Sequence, residues 1–111
     1  MYAEDALLTP PGAPAVTGRA SIKAFLGDDA AKAKADGISI KKGSVTGTGV
    51  NGDSGWISGT DTVVDGSGAA IDSGSYLSVH RRTNGTWLYI RDMWNSDRPP
   101  APAAPAAPGQ E

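Results

Sequence analysis

The chemically most capable side chains of this sequence lie in its second half. Asp92 stands in the apolar run Thr86–Trp94, and the one histidine, His80, precedes Arg81-Arg82. A carboxyl group withdrawn from water has a raised pKa, which suits a general base or an acid that shares a proton. Asp92 is therefore the candidate catalytic residue.

Each of these residues also has a structural interpretation. Asp92 could bond Arg91, Arg19 or a backbone amide and thereby fix the end of a strand. Trp94 could stack on a ligand or fill the core. Tyr2 and Tyr76 could donate to a ligand oxygen, although such tyrosines more often pack their rings and hydrate their hydroxyls.

The basic run His80-Arg81-Arg82 has two interpretations as well. It could bind an anion or supply a base, or it could form a solvated or interface edge. The acidic residues Asp28-Asp29 and Asp53 lack the spacing of a calcium loop and are interpreted as helix and turn residues. Gly47-Thr48-Gly49 lacks the lysine of a phosphate-binding loop and is predicted to be a bend.

The composition of the chain excludes several classes of catalytic and metal-binding site. With no cysteine and one histidine, the chain has no thiol nucleophile, cysteine–zinc site or multi-histidine metal site. No Ser-x-x-Lys or Gly-x-Ser-x-Gly nucleophile motif is present. We therefore expect no metal and no cofactor.

Length and charge set the class of protein. The chain has 111 residues, enough for one domain, and a net charge of −2. Its pI of about 5.2 disfavours a nucleic-acid partner. No apolar run is long enough to cross a bilayer and no signal segment is visible, so we expect no membrane partner and a cytoplasmic location by default.

The elements that would position these residues can be predicted from periodicity. Tyr2–Leu8 contains helix formers and ends before Pro10-Pro11, so a short helix is expected there. Residues 15–17 are a candidate edge strand. Ile22, Phe25 and Leu26 are spaced i, i+3, i+4, which predicts a helix over residues 19–35 that ends at Asp36-Gly37.

Beyond residue 38 the period becomes two. Apolar alternation predicts strands from residue 38, over 56–64, over 69–82 and over 86–94, with turns at 65–68 and at Asn84-Gly85. Gly59 and Gly74 are predicted bend sites. The fold class is α+β, with a curved antiparallel sheet of about four long strands packed on an N-terminal helix. Residues 1–98 form the domain, and the Pro/Ala-rich residues 99–111 are a predicted disordered tail.

A family resemblance rests on five short stretches in order. They are Tyr2-Ala3-Glu4-Asp5-Ala6, Pro10, Val16–Ile22, Gly74–Val79 with Arg81-Arg82, and Gly85-Thr86-Trp87 leading to Asp92–Asn95. Together they resemble the NTF2-like superfamily, and within it the SnoaL-like and DUF4440-type proteins. They are also similar to the association domain of calcium/calmodulin-dependent kinase II. The resemblance covers about residues 2–98.

The resemblance implies a cone whose concave side holds a pocket and whose convex side pairs with a second copy. With the family's strand orientation, Leu88, Ile90, Asp92 and Trp94 point inward. The side chains expected to point outward are those of Trp87, Tyr89, Met93, Tyr76, Ser78 and His80. On the two preceding strands the inward side chains would be Trp56, Ser58, Thr60, Thr62, Ser73, Ser75 and Leu77. The expected ligand site is thus Trp56, Ser58, Thr60, Ser73, Ser75, Leu77, Ile90 and Trp94, with Asp92 as its carboxylate.

Two departures from the family pattern affect the interpretation. The long first helix of the family is absent ahead of Tyr2, so a partner chain or a missing segment could be required to complete the fold. The resemblance places the general base of the ketosteroid isomerases at Thr9, their buried acid at Leu77 and their tyrosine donor on the missing helix, and the loss of all three disfavours that chemistry. We favour a homodimeric binding or association module that holds a small apolar molecule. The alternative is a SnoaL-like isomerase, cyclase or hydratase acting on a hydrophobic molecule through Asp92.

Overall fold

The computed structural model describes residues 1–98, and the predicted tail 99–111 lies outside the described residues. One helix and six strands follow each other along these residues. They are β1 (Tyr2–Thr9), β2 (Val16–Thr17), α1 (Arg19–Ala35), β3 (Ser39–Asn51), β4 (Ser54–Val64), β5 (Ala70–Thr83) and β6 (Thr86–Trp94). All six strands form one sheet in the order β2-β1-β6-β5-β4-β3. The predicted α+β class is confirmed, with six strands instead of about four.

Strand β1 occupies the place where the sequence predicts a short helix, so that prediction is wrong. β1 pairs with β6 in parallel, and Leu8 lies opposite Asp92. Ala3, Ala6 and Leu8 are fully buried on β1. The weak helix propensity of an eight-residue segment is outweighed by this pairing and burial. The sheet is consequently mixed, because the remaining neighbours are antiparallel.

Helix α1 begins and ends as predicted. Gly18 precedes it with a φ of 91°, and Gly37 follows it with a φ of 71°. The amide of Gly37 donates to the carbonyl of Lys34 (3.2 Å) and that of Ile38 to Ala33 (2.8 Å), which satisfies carbonyls at the helix end. Lys32 and Lys34 in the last turn favour the negative end of the helix dipole.

The core lies between α1 and the β1 end of the sheet. Ile22 is fully buried against Ala3, Ala6 and Leu8. Partly buried residues from α1, β1, β2 and β6 surround this cluster: Tyr2, Val16, Phe25, Leu26, Leu88, Ile90 and Trp94. Because α1 packs mainly on β1 and β2, it leaves much of the sheet formed by β3, β4 and β5 uncovered by the rest of residues 1–98.

The meander β3–β6 forms as the turn residues predict. Asn84 and Gly85 have φ values of 51° and 79°, the positive angles of a type I′ hairpin. At the preceding turn, the carboxylate of Asp65 accepts hydrogen bonds from the amides of Ser67 (2.9 Å) and Ala69 (3.0 Å) and from the Ser67 hydroxyl. These bonds lower the pKa of Asp65, the Ser67 hydroxyl bond most of all.

Candidate functional site

A β-bulge at Ile90 decides which side chains share a face of the sheet. Val79 lies opposite Arg91 and His80 opposite Tyr89, so Ile90 is the extra residue on β6. Residues directly opposite each other in an antiparallel pair point to the same side. The bulge therefore brings Tyr89 and Asp92 to one face, although strict alternation along β6 would place them on opposite faces.

We call this the helix-side face, because Ile90 and Trp94 on it pack against the core beneath α1. Trp94 lies opposite Tyr76, and Asp92 opposite the buried Ser78. The other side is the open face, where Leu77 lies opposite Met93 and Trp56 opposite Val79. Trp56, Leu77 and Met93 are between 41% and 47% exposed there.

The structure thus divides the predicted site residues between two faces. Asp92, Ile90 and Trp94 lie together on the helix-side face. By their register, the other predicted ligand-binding residues lie on the open face: Trp56, Ser58, Thr60, Ser73, Ser75 and Leu77. The predicted outward row is corrected as well, because Tyr76 and Tyr89 lie on the helix-side face and only Met93 is on the open face with Leu77. Sequence period gives the alternation within a strand but not its phase relative to the neighbouring strand.

Two glycines of β3 make room for the Trp56 indole on the open face. An added Cβ at Gly49 would come within 2.4 Å of the Trp56 indole nitrogen, and one at Gly47 within 2.9 Å of its six-membered ring. The indole therefore lies directly against these glycines. Gly47-Thr48-Gly49 is part of β3 and not the predicted bend, and its glycines make room for Trp56. An open cleft of about 490 Å³ adjoins it, reaching Val50, Leu77 and Val79.

On the helix-side face, five residues form a polar group that we call the Asp92 cluster: Tyr2, Ser78, His80, Tyr89 and Asp92. The Tyr2 hydroxyl donates a short hydrogen bond to the Asp92 carboxylate. The Ser78 hydroxyl and His80 Nε2 share a hydrogen bond of 2.9 Å. The Tyr89 ring lies 4.2 Å from that of His80 and 4.9 Å from that of Tyr2, centroid to centroid.

Burial controls the ionisation of this cluster. Loss of water raises the pKa of Asp92, although the Tyr2 hydrogen bond and the nearby His80 and Lys42 oppose the rise. Burial also raises the pKa of Tyr2, and the Asp92 hydrogen bond adds to that effect. The pKa of His80 is lowered by burial, with Asp92 acting in the opposite direction. A carboxyl with a raised pKa beside a phenol donor is suited to accept a proton and to return it.

The arginines considered as partners of Asp92 are engaged elsewhere. Arg91 Nη1 donates to the carbonyl of Ile90 (2.7 Å), and Arg19 Nε donates to the carbonyl of Tyr2 (2.7 Å). Arg81 pairs with Asp5 at 3.0 Å and Arg82 with Asp53 at 2.9 Å. The basic run therefore contains two exposed ion pairs, while its histidine faces the interior.

A cleft of about 150 Å³ opens beside His80 on the β4 side of the cluster. It is lined by Thr48, Gly49, Val50, Gly55, Trp56, Ile57, His80 and Trp87. Ile57 lies opposite Ser78 on the neighbouring strand, so the cleft continues the helix-side face away from Asp92. The prediction that Ser78 and His80 point outward is wrong, because the register places both on the helix-side face with Asp92. Sequence reasoning missed the cleft, since it depends on how distant strands are aligned. No group of three acidic, histidine or cysteine residues within residues 1–98 could hold a metal ion.

The Tyr2 hydrogen bond yields a prediction about acidity. Tyr2→Phe removes a donor that lowers the pKa of Asp92, so we expect that pKa to move further upward from its ordinary range. The measurement is a carboxyl ¹³C NMR titration of Asp92. Tyr76→Phe is the matched control, because Tyr76 packs over Gly59, and it should leave the titration unchanged. A downward or absent shift in the Tyr2 variant would contradict this account.

The architecture just described is the NTF2-like, cystatin-like fold. A crystal structure of an NTF2-like protein with a cystatin-like fold from Novosphingobium aromaticivorans superposes with a TM-score of 0.74 at 25% identity. It is matched over 90% of this chain and 67% of its own length. A protein of unknown function with the same fold from Nostoc punctiforme PCC 73102 gives 0.71 at 18% identity, covering 90% of this chain and 72% of its own.

A third similar structure is a protein from Streptomyces avermitilis that is provisionally described as a dehydratase of the NTF2-like family. It superposes with a TM-score of 0.60 at 22% identity over 81% of this chain. The chain spans 64% of that protein's length. No protein-family model and no curated protein matches the sequence significantly. Among residues 1–98, α1 is too short and too polar to cross a membrane.

Proposed function

We propose that the helix-side face binds a small, largely apolar molecule and that Asp92 exchanges a proton with it. The observation that carries this proposal is the half-buried Asp92 carboxyl, hydrogen-bonded by Tyr2 and raised in pKa. Isomerisation, cyclisation and dehydration of apolar molecules all require a proton to leave one atom of the substrate and to reach another. The class of reaction is therefore proton transfer on a hydrophobic substrate.

The surroundings of Asp92 support this proposal in two ways. Leu8 lies opposite Asp92 on the neighbouring strand, and Ile90 and Trp94 pack against the core cluster that contains Leu8. Removal of water strengthens a carboxylate base. The Tyr2 hydroxyl, with its raised pKa, stays protonated and fixes the orientation of the carboxyl. The cleft beside His80 offers space for the apolar part of a ligand on the same face.

The test uses 5-nitrobenzisoxazole, a neutral molecule that reports a carboxylate base. Asp92 would remove the C3 proton, the ring N–O bond would break as the nitrile forms, and a coloured cyanophenolate would leave. We expect the protein to catalyse this ring opening faster than free acetate at equal concentration. Asp92→Asn should lower the rate about tenfold, which corresponds to a barrier higher by about 1.4 kcal/mol. The rate should rise with pH as Asp92 ionises.

Asp28→Asn is the matched control, since Asp28 is an exposed carboxylate on α1. It should react at the wild-type rate. If Asp92→Asn retains the full rate while remaining folded, or if Asp28→Asn loses as much, proton transfer by Asp92 is wrong.

A second proposed role is homodimerisation through the open face, the convex side in the family resemblance. It is favoured by the neighbouring apolar side chains of Trp56, Leu77 and Met93, each more than two-fifths exposed. An exposed apolar patch of this kind is typical of an association surface. This role agrees with the expected dimer, but it uses a different set of residues from the predicted outward row.

We expect a dimer in analytical ultracentrifugation at micromolar concentration and a monomer for Leu77→Glu. Placing a charge in the centre of an apolar contact costs far more than at its rim. Ile40→Glu is the control, because Ile40 is 64% exposed and lies on the edge strand β3. Monomeric wild-type protein at several hundred micromolar would rule out this second role.

A further inference from the structure

The cleft beside His80 has the features of a binding site for one particular class of molecule. Its apolar walls include Val50, Ile57 and the indole of Trp87. The Thr48 hydroxyl is already used, because it donates to the carbonyl of Trp56 at 3.0 Å. His80 therefore supplies the side-chain atom that can accept a hydrogen bond from a ligand, because the indole N–H groups of Trp56 and Trp87 only donate. Its Nε2 is held by Ser78, and its Nδ1 has no hydrogen-bond partner among residues 1–98.

Trp87 is held in position before any ligand arrives. The guanidinium of Arg82 lies 5.2 Å from the Trp87 ring, and its Nε donates to Asp53 at 2.9 Å. The Arg82 amide also donates to the carbonyl of Asp53 (2.7 Å). Gly55 lies beneath the indole, since a Cβ there would come within 3.4 Å of the Trp87 ring. An aromatic wall fixed in this way loses little conformational entropy on binding.

The size and polarity of the cleft define the ligand. A volume of about 150 Å³ is large enough for a single benzene ring. The hydrogen of the His80–Ser78 bond can lie on either atom, so Nδ1 can be a donor or an acceptor. A hydroxyl group both donates and accepts, and therefore satisfies either tautomer. The charge of Arg82 is neutralised by Asp53, so the cleft offers no free cation to an anionic ligand.

We propose that this cleft binds a neutral, single-ring phenol, with its ring against Trp87 and its hydroxyl on Nδ1 of His80. This inference rests on the proposed function, because it names the class of molecule that the helix-side face accepts. The lowered pKa of His80 is consistent with it, since a neutral imidazole suits a neutral ligand.

The experiment is a ¹⁵N NMR titration of the full chain with phenol, toluene, cyclohexanol and benzoate. Phenol should shift the amides of Gly49, Gly55 and Ile57 and the indole N–H of Trp87. Toluene lacks the hydroxyl, cyclohexanol lacks the aromatic ring and benzoate adds a charge. We expect each of these three to bind at least about fivefold more weakly than phenol, as loss of one hydrogen bond or of aromatic contact predicts.

Two variants locate the binding determinants. His80→Phe keeps an aromatic ring but removes both nitrogens, so the affinity for phenol should fall about fivefold while the affinity for toluene stays the same. His80→Phe also leaves the buried Ser78 hydroxyl without its partner, so Trp87→Leu provides a second test and should lower the affinity for both phenol and toluene. Met93→Gln on the open face should leave both affinities unchanged.

The outcomes separate this inference from the proposed proton transfer. Phenol binding that is equal in wild type and Asp92→Asn supports the cleft site, whatever the rate with nitrobenzisoxazole. Phenol shifts centred on Leu77, Val79 and Met93, equal binding of toluene, or no saturable shift would overturn it. An Asp92-dependent reaction could still be observed in that case, and the proposed function would then stand without the phenol site.

Discussion

Ile22→Ala is expected to destabilise the fold by about 2–5 kcal/mol, a large fraction of the stability of a typical domain. Ile22 is fully buried, and its neighbours Ala3 and Ala6 are too small to fill the space that its side chain would leave. It is also the buried residue by which α1 is fixed to the sheet. Urea denaturation followed by circular dichroism measures the loss.

Ile40→Ala makes the same chemical change at an exposed position. Ile40 is 64% exposed on β3, so we expect a loss below about 0.5 kcal/mol. Similar destabilisation by both substitutions would show that the small cluster around Ile22 is not the main core. The comparison is informative because the denatured states of the two variants lose the same apolar atoms.

Gly74→Ala is expected to cost about 1–3 kcal/mol through overpacking. An added Cβ would lie 2.1 Å from the carbonyl oxygen of Asn95, and that oxygen belongs to the backbone. The backbone at Asn95 cannot move freely, since its amide donates to the Ser75 carbonyl (3.0 Å) and its side chain accepts from the Ser75 amide (2.7 Å). Thermal denaturation reports the effect.

Gly27→Ala provides a control of opposite sign. Gly27 lies within α1, and nothing lies within 4 Å of an added Cβ. The substitution should stabilise the helix by about 0.5–1 kcal/mol, because alanine loses less backbone entropy than glycine. If Gly74→Ala proved neutral, the segment after β6 would be less firmly attached to β5 than its hydrogen bonds indicate.

The parts of the fold that are specified by neighbouring residues could be predicted from the sequence. The stripe of Ile22, Phe25 and Leu26 with Gly37 is sufficient to define α1, and Asn84-Gly85 is sufficient to define the last hairpin. These features act within a few residues of their own position. The family resemblance supplied the arrangement of these elements, and the similar crystal structures confirm it.

Features that depend on distant partners could not be predicted in the same way. β1 is a strand because β6, more than eighty residues away, pairs with it. The bulge at Ile90 exchanges the faces of neighbouring side chains, yet no glycine or proline marks it. The acid/base candidate Asp92 was identifiable from its residue type together with the strand orientation that the resemblance implies, whereas the shared face of Asp92 and His80 depended on that bulge.

The parallel pairing of β1 with β6 has a consequence for biosynthesis. The pairing of β1 can be completed only after β6 has been synthesised, since one of its two sheet neighbours is the last strand of residues 1–98. The intervening hairpins can form early from local contacts, but the sheet closes around Leu8 only once β6 is present. Chains halted before residue 86 therefore carry a β1 that can pair with β2 but whose other edge has no partner, and such an open strand edge favours aggregation.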